Sequence, residues 1–327
     1  MKRLILTGWG GGSELARSGL AEIIIPFHFK FEWGPLPSAE KLSAYFAAYT
    51  TNLGPADHWS DWVRWPRGAK GRRLSLVEFC EPYDEIELWF GATARDQLQL
   101  VWLLDQLSGC PGLVQKLGLR LLDSDLMFYP DYDFTRGEPH IPVLDVAAEE
   151  FETAKLAWSA YCAPTPEACI DLLHRDLSAL LMLRPALLEL LAELPSPLTG
   201  LGATEMRFLE MLACGYVNTN ALFHLRSLRR TFVFGEFDLG SLLEGLALGP
   251  KPAVAGLGDE LRTIDSKNLR ARHEVHLRSR LSLTKFGKAI LAHQEDFSRH
   301  NPIDRWWGGT HLTNDRLWRY GAALTKP

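Results

Sequence analysis

Residues 281–291 read LSLTKFGKAIL, which is typical of a short apolar strand, a tight turn and the start of a helix. Three helical patterns precede this stretch, and Asn218 or Thr219 is a suitable N-cap for the second of them. These helices are predicted at residues 204–213, 219–228 and 238–248. Three helices, a β pair and a closing helix follow the order of a winged-helix domain, which we assign to residues 198–327.

The tail after this stretch, residues 301–312, reads NPIDRWWGGTHL and contains three candidate functional side chains. Arg305 offers two parallel N–H donors to a phosphate or carboxylate, and Asp304 lies beside it. His311 can exchange a proton near neutral pH. A competing interpretation is a structural plug, in which Asp304 pairs with Arg305 and the two following tryptophans bury apolar area.

The N-terminal part alternates between apolar strand patterns and helical patterns. Such alternation favours an α/β fold with a Rossmann-like parallel sheet, which we assign to residues 1–140. Strands are predicted at residues 4–7, 22–26, 85–90 and 118–122, and helices at residues 14–18, 39–50, 57–65 and 96–107. A helical bridge, residues 141–197, is predicted to connect this domain to the winged helix; prolines 164, 166 and 185 should interrupt its helices.

The first predicted strand runs into a glycine loop, residues 8–12. Backbone N–H groups of Gly8, Gly10 and Gly11, together with Ser13 at a helix N-terminus, could cradle a phosphate. Neither the dinucleotide-binding nor the P-loop motif is complete, because Ser13 stands where the former requires glycine. The alternative is a tight strand-to-helix turn without a ligand.

Asp96 and Gln97 open a predicted helix just after a strand end. A carboxylate in that position could bind a ribose or act as a general base. Alternatively, an acid in the first helical turn simply complements the helix dipole.

The charge balance gives no general argument for nucleic-acid binding, because 35 basic and 40 acidic residues leave a net charge of −5. Basic residues nevertheless cluster between residues 262 and 288, where the β wing should lie, and wings can contact phosphates. The candidates are Arg270, Arg272, Arg278, Arg280 and Lys285. The predicted recognition helix, residues 238–248, has no Arg or Lys, which argues against base reading. The winged helix therefore either contacts nucleic-acid backbones or serves as a packing module.

The five cysteines form no CxxC pair, which indicates reduced thiols and a cytoplasmic location. No apolar run approaches the length of a membrane span. His273 and His276 lie near Glu274, but no third ligand follows nearby, so no metal site is predicted.

Several segments, in order along the chain, resemble one bacterial family. They are Leu6-Thr7-Gly8, Gly34-Pro35-Leu36-Pro37, Leu88-Trp89-Phe90 with Asp96-Gln97-Leu98, Leu283-Thr284 with Gly287, and Ile303-Asp304-Arg305-Trp306 with Gly308-Gly309. The chain resembles the domain-of-unknown-function 1835 family, and this resemblance implies an N-terminal α/β domain and a C-terminal winged-helix-like region. Members of that family commonly have Asp where this chain has Trp9, and Glu-His-Asp where it has Gly91, Ala92 and Thr93.

Two functional hypotheses follow, and the lost polar groups together with the basic cluster motivate the first. The first is a non-catalytic cytoplasmic regulator, whose α/β domain binds a small ligand or partner and whose winged helix binds nucleic acid or protein. The second is an enzyme acting on a phosphorylated or nucleotide-like small molecule at a cleft between the domains. In that enzyme Asp96 would be the base, with Arg305 and His311 contributing from the C-terminal domain.

Overall fold

The computed structural model describes residues 2–8, 12, 15–16, 18–68, 71–122, 141–224, 233–258, 274 and 277–327. The chain divides into two compact units. Unit 1 comprises Met1–Phe31, Pro35–Ala163 and Ala168–Leu187, and unit 2 comprises Glu32–Gly34, Pro164–Glu167 and Leu188–Pro327. The predicted helical bridge is thus shared between the two units.

Unit 1 is built on a five-stranded sheet in the order β2-β1-β3-β4-β5. Its strands are β1 (Arg3–Gly8), β2 (Ile23–Phe27), β3 (Glu85–Gly91), β4 (Leu117–Leu122) and β5 (Leu144–Asp145). The first four strands are parallel, and β5 joins β4 in the antiparallel sense. The predicted α/β fold with a mostly parallel sheet is confirmed, whereas the short β5 has no apolar run and was not predicted.

The apolar strands form because they are covered on both faces, as is usual for parallel sheets. Leu6 pairs with Ile25 on one side and Leu88 on the other, and all three are buried. One face packs on an aromatic cluster in which Phe27 and Trp102 meet edge to face with ring centroids 5.7 Å apart. The opposite face carries a second apolar cluster of Ile5, Leu15, Ile24, Trp89 and Leu122.

Eleven helices are defined within the part of the chain that the structure describes. In chain order they are α1 (Ala39–Phe46), α2 (Leu76–Cys80), α3 (Ala94–Leu107), α4 (Pro111–Val114), α5 (Ala148–Tyr161), α6 (Glu167–Leu173), α7 (Leu183–Ala192), α8 (Ala203–Ala213), α9 (Thr219–His224), α10 (Glu236–Leu248) and α11 (Lys285–Leu291). In unit 1, α3 is capped by Thr93 and packs against α5.

Two sequence predictions about helices were wrong. The segment at residues 57–65 is only a 3-10 turn, Trp59–Trp62. The side chains of His58 and the buried Trp59 bind the backbone carbonyls of Ala47 and Leu74, and these contacts hold the short turn in place of a longer helix. Pro185 does not interrupt a helix but lies in the first turn of α7, where a missing N–H costs nothing.

In unit 2, α8 packs against α10 and α11. Two short strands, β6 (Val254–Ala255) and β7 (Ser282–Leu283), pair antiparallel. Two further antiparallel pairs follow: β8 (Asp304–Trp307) with β9 (Thr310–Thr313), and β10 (Arg319–Tyr320) with β11 (Leu324–Thr325). Among the described residues, no helix is both long and apolar enough to cross a membrane.

Candidate functional site

The strand order of unit 1 creates a point where the chain changes direction across the sheet. From β1 the chain continues to β2 on one side, whereas β3 lies on the other side of β1. In open α/β sheets, ligands bind beyond the carboxyl ends of the strands next to such a switch point. Here those ends are Gly8 of β1 and Gly91 of β3.

Polar side chains in the first turns of α3 bind the end of β3 and the backbone just after β2. Asp96 Oδ2 accepts a hydrogen bond from Gly91 N at 2.8 Å, and Gln97 Nε2 donates to Gly91 O at 2.7 Å. Gln99 Nε2 donates to Phe29 O, just beyond β2, at 3.0 Å. The predicted site residues Asp96 and Gln97 are therefore engaged with backbone groups of their own unit.

Gly8 shows how closely α3 approaches the sheet. A Cβ atom at this position would lie 2.6 Å from Asp96 Oδ1, so only glycine fits beside that carboxylate. Asp96 and Gln97 are almost fully buried. These contacts hold the loop after β3 in place. They leave Asp96 poorly placed to act as a base toward a ligand.

The glycine loop is described only at its ends. Gly10, Gly11, Ser13 and the neighbouring Trp9 lie outside the described residues. At Gly12, an added Cβ would lie 2.5 Å from the Cβ of Pro26, so this end of the loop packs directly on β2.

A cavity of about 180 Å³ lies beside this end of the loop. Its wall includes alternate residues of β2, which share the sheet face opposite to α3. The lining residues are Gly12, Ala16, Ile24, Pro26, His28, Trp62 and Arg64. We call it the His28 cavity.

The polar groups of the His28 cavity favour an anion. The rings of His28 and Trp62 are stacked with centroids 3.3 Å apart. Burial lowers the pKa of His28 to about 3, so the imidazole stays neutral at physiological pH. The Trp62 Nε1 donor has no partner among the described residues, and the exposed Arg64 supplies the positive charge.

In the tail, Asp304 and Arg305 are successive residues of β8, so their side chains point to opposite faces of the strand. Asp304 Oδ1 lies 2.7 Å from His311 Nε2 across the β8–β9 pair, and Asp304 is largely exposed there. Arg305 instead reaches Glu205 Oε2 at 2.9 Å. The predicted Asp304–Arg305 pairing within a plug is therefore wrong, although Trp307 is buried and donates to Leu190 O.

Arg305 belongs to a small buried charged cluster. Its NH2 atom has no hydrogen-bond partner within the described part of the chain. Glu193, close to Glu205, accepts hydrogen bonds from Thr204 N at 3.1 Å and Thr204 Oγ1 at 2.6 Å. Burial raises the pKa of Glu193 to about 7 despite these bonds.

The basic candidates in unit 2 are described only in part, since Arg270 and Arg272 lie outside the described residues. Arg278, Arg280 and Lys285 are exposed. Arg278 lies 3.6 Å from Glu274, a pair so exposed that it adds little stability. These side chains are accessible to a phosphate backbone.

The chain matches no protein-family model and no curated protein. The resemblance to the domain-of-unknown-function 1835 family therefore stays a prediction. Among the described residues, no group of three or more His, Cys, Asp or Glu side chains could hold a metal ion.

His28, Trp62 and Arg64 were missed as site residues by the sequence analysis. The run Trp62-Val63-Arg64-Trp65, with its interleaved aromatic and basic residues, could have indicated them. Their meeting with Gly12 depends on the pairing of β1 with β2 and is not visible in the sequence.

Proposed function

We propose that this protein is a non-catalytic binding protein, whose unit 1 takes a small phosphorylated or otherwise anionic molecule in the His28 cavity. The observation that carries the proposal is the combination of a cation, an unpartnered indole N–H and a neutral imidazole around one cavity beside the loop after β1. Arg64 would pair with the anion, and Trp62 would donate a hydrogen bond to it.

The carboxyl edge of the sheet supports a binding rather than a catalytic role. Gly91, Ala92 and Thr93 offer no ionisable side chain there. The carboxylate of Asp96, the remaining acid, accepts the Gly91 amide. An enzyme acting on a phosphorylated or nucleotide-like molecule is the second candidate. It rests on the Asp304–His311 pair, in which the carboxylate orients the imidazole.

We further propose that unit 2 contains a winged-helix module. The order α8, α9, α10, β6, β7 fits that fold, and Leu281 N donates to Val217 O at 2.7 Å, which adds the segment before α9 to the β6–β7 pair. Helix α10 would be the recognition helix. It contains acids and no Arg or Lys, so this module would contact phosphates or pack on protein rather than read bases.

Isothermal titration of the full chain with inorganic phosphate, pyrophosphate and ribose 5-phosphate tests the His28 cavity. We expect Arg64→Gln to weaken binding by about tenfold or more, because a charge-assisted hydrogen bond is lost. Trp62→Phe should weaken it less, because the ring is kept while the N–H donor is removed.

Lys155→Gln is the matched control, since it removes one exposed positive charge from α5 of the same unit. Equal loss of affinity in the Lys155 and Arg64 variants would show that the effect comes from the net charge of the protein and not from a contact in the His28 cavity. Absence of binding for all three anions would contradict the proposal.

A further inference from the structure

Residues 62–73, WVRWPRGAKGRR, combine two tryptophans with five basic residues. No Asp or Glu occurs between Val63 and Val77. This stretch is the densest combination of aromatic and basic side chains in unit 1, and neither the His28 cavity nor the winged helix accounts for most of it.

The chain at residues 62–65 separates two cavities. Trp62 and Arg64 line the His28 cavity, whereas Val63 and Trp65 line a second cavity of about 330 Å³. The second cavity is lined by Tyr49, Ser60, Asp61, Val63, Trp65, Arg72 and Arg73. Its volume falls at the lower end of the range for small-molecule sites. It therefore has room for one planar ring system.

The backbone that carries Arg72 and Arg73 is held in place by three successive hydrogen bonds. The carbonyl of Arg72 accepts from Ser60 Oγ at 2.9 Å, and that of Arg73 accepts from Tyr49 N at 3.1 Å. The next carbonyl, of Leu74, accepts from Trp59 Nε1 at 3.0 Å. A backbone fixed in this way adds little backbone ordering cost when the two arginines bind a ligand.

The positive charge of this region has no ion-pair partner in the part of the chain that the structure describes. Arg67, Arg72 and Arg73 are exposed, and none of them has an ion pair with any described carboxylate. Asp61 is the acid that lines the second cavity, and its Oδ2 already accepts Ala56 N at 3.1 Å. An anionic partner would supply the missing negative charges.

Aromatic faces lie beside these cations. The Arg72 guanidinium lies 5.8 Å from the centroid of the Trp65 ring, within the range of a cation–π contact. Tyr49 lines the same cavity and is 37% exposed. We name Tyr49, Trp65, Arg67, Arg72 and Arg73 the arginine–aromatic surface.

We propose that the arginine–aromatic surface binds a nucleotide, either free or within a single strand of RNA or DNA. The arginines would contact phosphates, and a base would enter the second cavity and stack on an aromatic ring or on the Arg72 guanidinium. Splayed bases on aromatic and guanidinium planes, with a basic groove along the backbone, are how proteins bind single strands. A duplex keeps its bases stacked and cannot offer one to the cavity. The proposal does not depend on the His28 cavity, which Arg72 and Arg73 do not line.

Fluorescence anisotropy with the full chain tests this proposal. The probe is a labelled random single strand of about 16 nucleotides, in RNA and DNA form, with the matching duplex as comparison. Binding is measured at about 50 and 200 mM salt, with adenosine monophosphate as competitor. The test variant is Arg72→Gln/Arg73→Gln. Its charge control is Lys155→Gln/Arg175→Gln, which removes two exposed positive charges of unit 1 outside both cavities. Arg278→Gln/Arg280→Gln removes the same charge from the phosphate-contact candidates of unit 2 and shows which surface holds the strand.

We expect the single strand to bind more tightly than the duplex, and the Arg72/Arg73 variant to lose about tenfold or more in affinity. The slope of log affinity against log salt should fall by about 0.7 for each phosphate contact removed. Tyr49→Ala should weaken binding without changing that slope. Calorimetric binding of adenosine monophosphate without strand binding would assign the surface to free nucleotides.

Three results would overturn the proposal. They are absence of binding of both strand and nucleotide at the lower salt, equal binding of duplex and single strand, and loss of binding in the Arg278/Arg280 variant alone. Unchanged melting temperatures would show that the exposed substitutions leave the fold intact.

Discussion

Glu193 shows how a single residue can make stability depend on pH. Its side chain is buried in unit 2, where both carboxyl oxygens meet Thr204. Burial raises its pKa from 4.5 to about 7, which corresponds to a preference of the folded protein for the protonated carboxyl of about 3 kcal/mol. The pKa of Glu193 is higher in the folded protein than in the unfolded chain. The folded state therefore keeps its full stability below pH 4.5 and loses this contribution as pH rises through about 7.

We therefore predict that Glu193→Gln reduces the fall in melting temperature between about pH 5 and pH 8. The amide keeps an acceptor for Thr204 N and can donate to Thr204 Oγ1, but it never acquires a charge. At pH 8 the variant should be more stable than the wild type, and at pH 5 about equal to it. Differential scanning calorimetry at several pH values measures this.

The control for this prediction is Glu210→Gln, an exposed position on α8 of the same unit. Its melting curve should follow the wild type across the pH range. If Glu193→Gln followed the wild type as well, the carboxyl group would not be titrating in the folded protein between those pH values.

At the scale of elements, the LTKFG segment fixes the start of α11 to the residues just before β6. Thr284 Oγ1 accepts a hydrogen bond from Gly287 N at 3.0 Å and donates one to Pro252 O at 2.8 Å. Gly287 passes so close to the carbonyl of Ala253 that a Cβ would overlap it. The Thr284 hydroxyl and the close approach at Gly287 thus join the N-terminus of α11 to the residues just before β6.

We predict that Thr284→Ala lowers the free energy of unfolding by about 1–2 kcal/mol, because α11 loses its N-cap and Pro252 O loses its donor. Thr284→Ser keeps the hydroxyl and should lose much less. Urea denaturation followed by circular dichroism compares the two variants. Equal stability of the Ala and Ser variants would contradict the role of the hydroxyl.

At the scale of the whole molecule, the five thiols differ widely in reactivity, and all five are free. Burial raises the pKa of Cys80 and Cys169 to about 12. Cys162 is exposed, but partial burial of its thiol and the nearby Asp105 carboxylate raise its pKa to about 11, so all three groups stay protonated near neutral pH. Cys214 is exposed at the end of α8. Only a thiolate reacts quickly with alkylating reagents.

We predict that iodoacetamide at about pH 8 modifies Cys214 first in the folded protein, and that all five cysteines react in denaturant. Peptide mass spectrometry over a time course identifies the order. Cys169 reacting as fast as Cys214 would show that α6 opens readily, because this thiol is fully buried.

Much of the architecture could be predicted from local patterns. The largely apolar runs at β1, β3 and β4 identified strands, because strands buried on both faces are mostly apolar. Helix α3 was predicted to begin at Asp96, but Thr93 caps it and it begins two residues earlier, at Ala94. The strands of the tail were not predicted, because β8 begins with two charged residues, one of which, Arg305, pairs with the distant Glu205.

The sequence by itself determined the α/β character of unit 1, the main helices and the free thiols, since these depend on residue type and spacing within short windows. Only the tertiary structure decided what the polar residues do. It placed Asp96 against Gly8, Arg305 against Glu205, and His28 against Trp62. The physical reason is that strand order and long-range packing, which no local pattern encodes, determine which distant side chains meet.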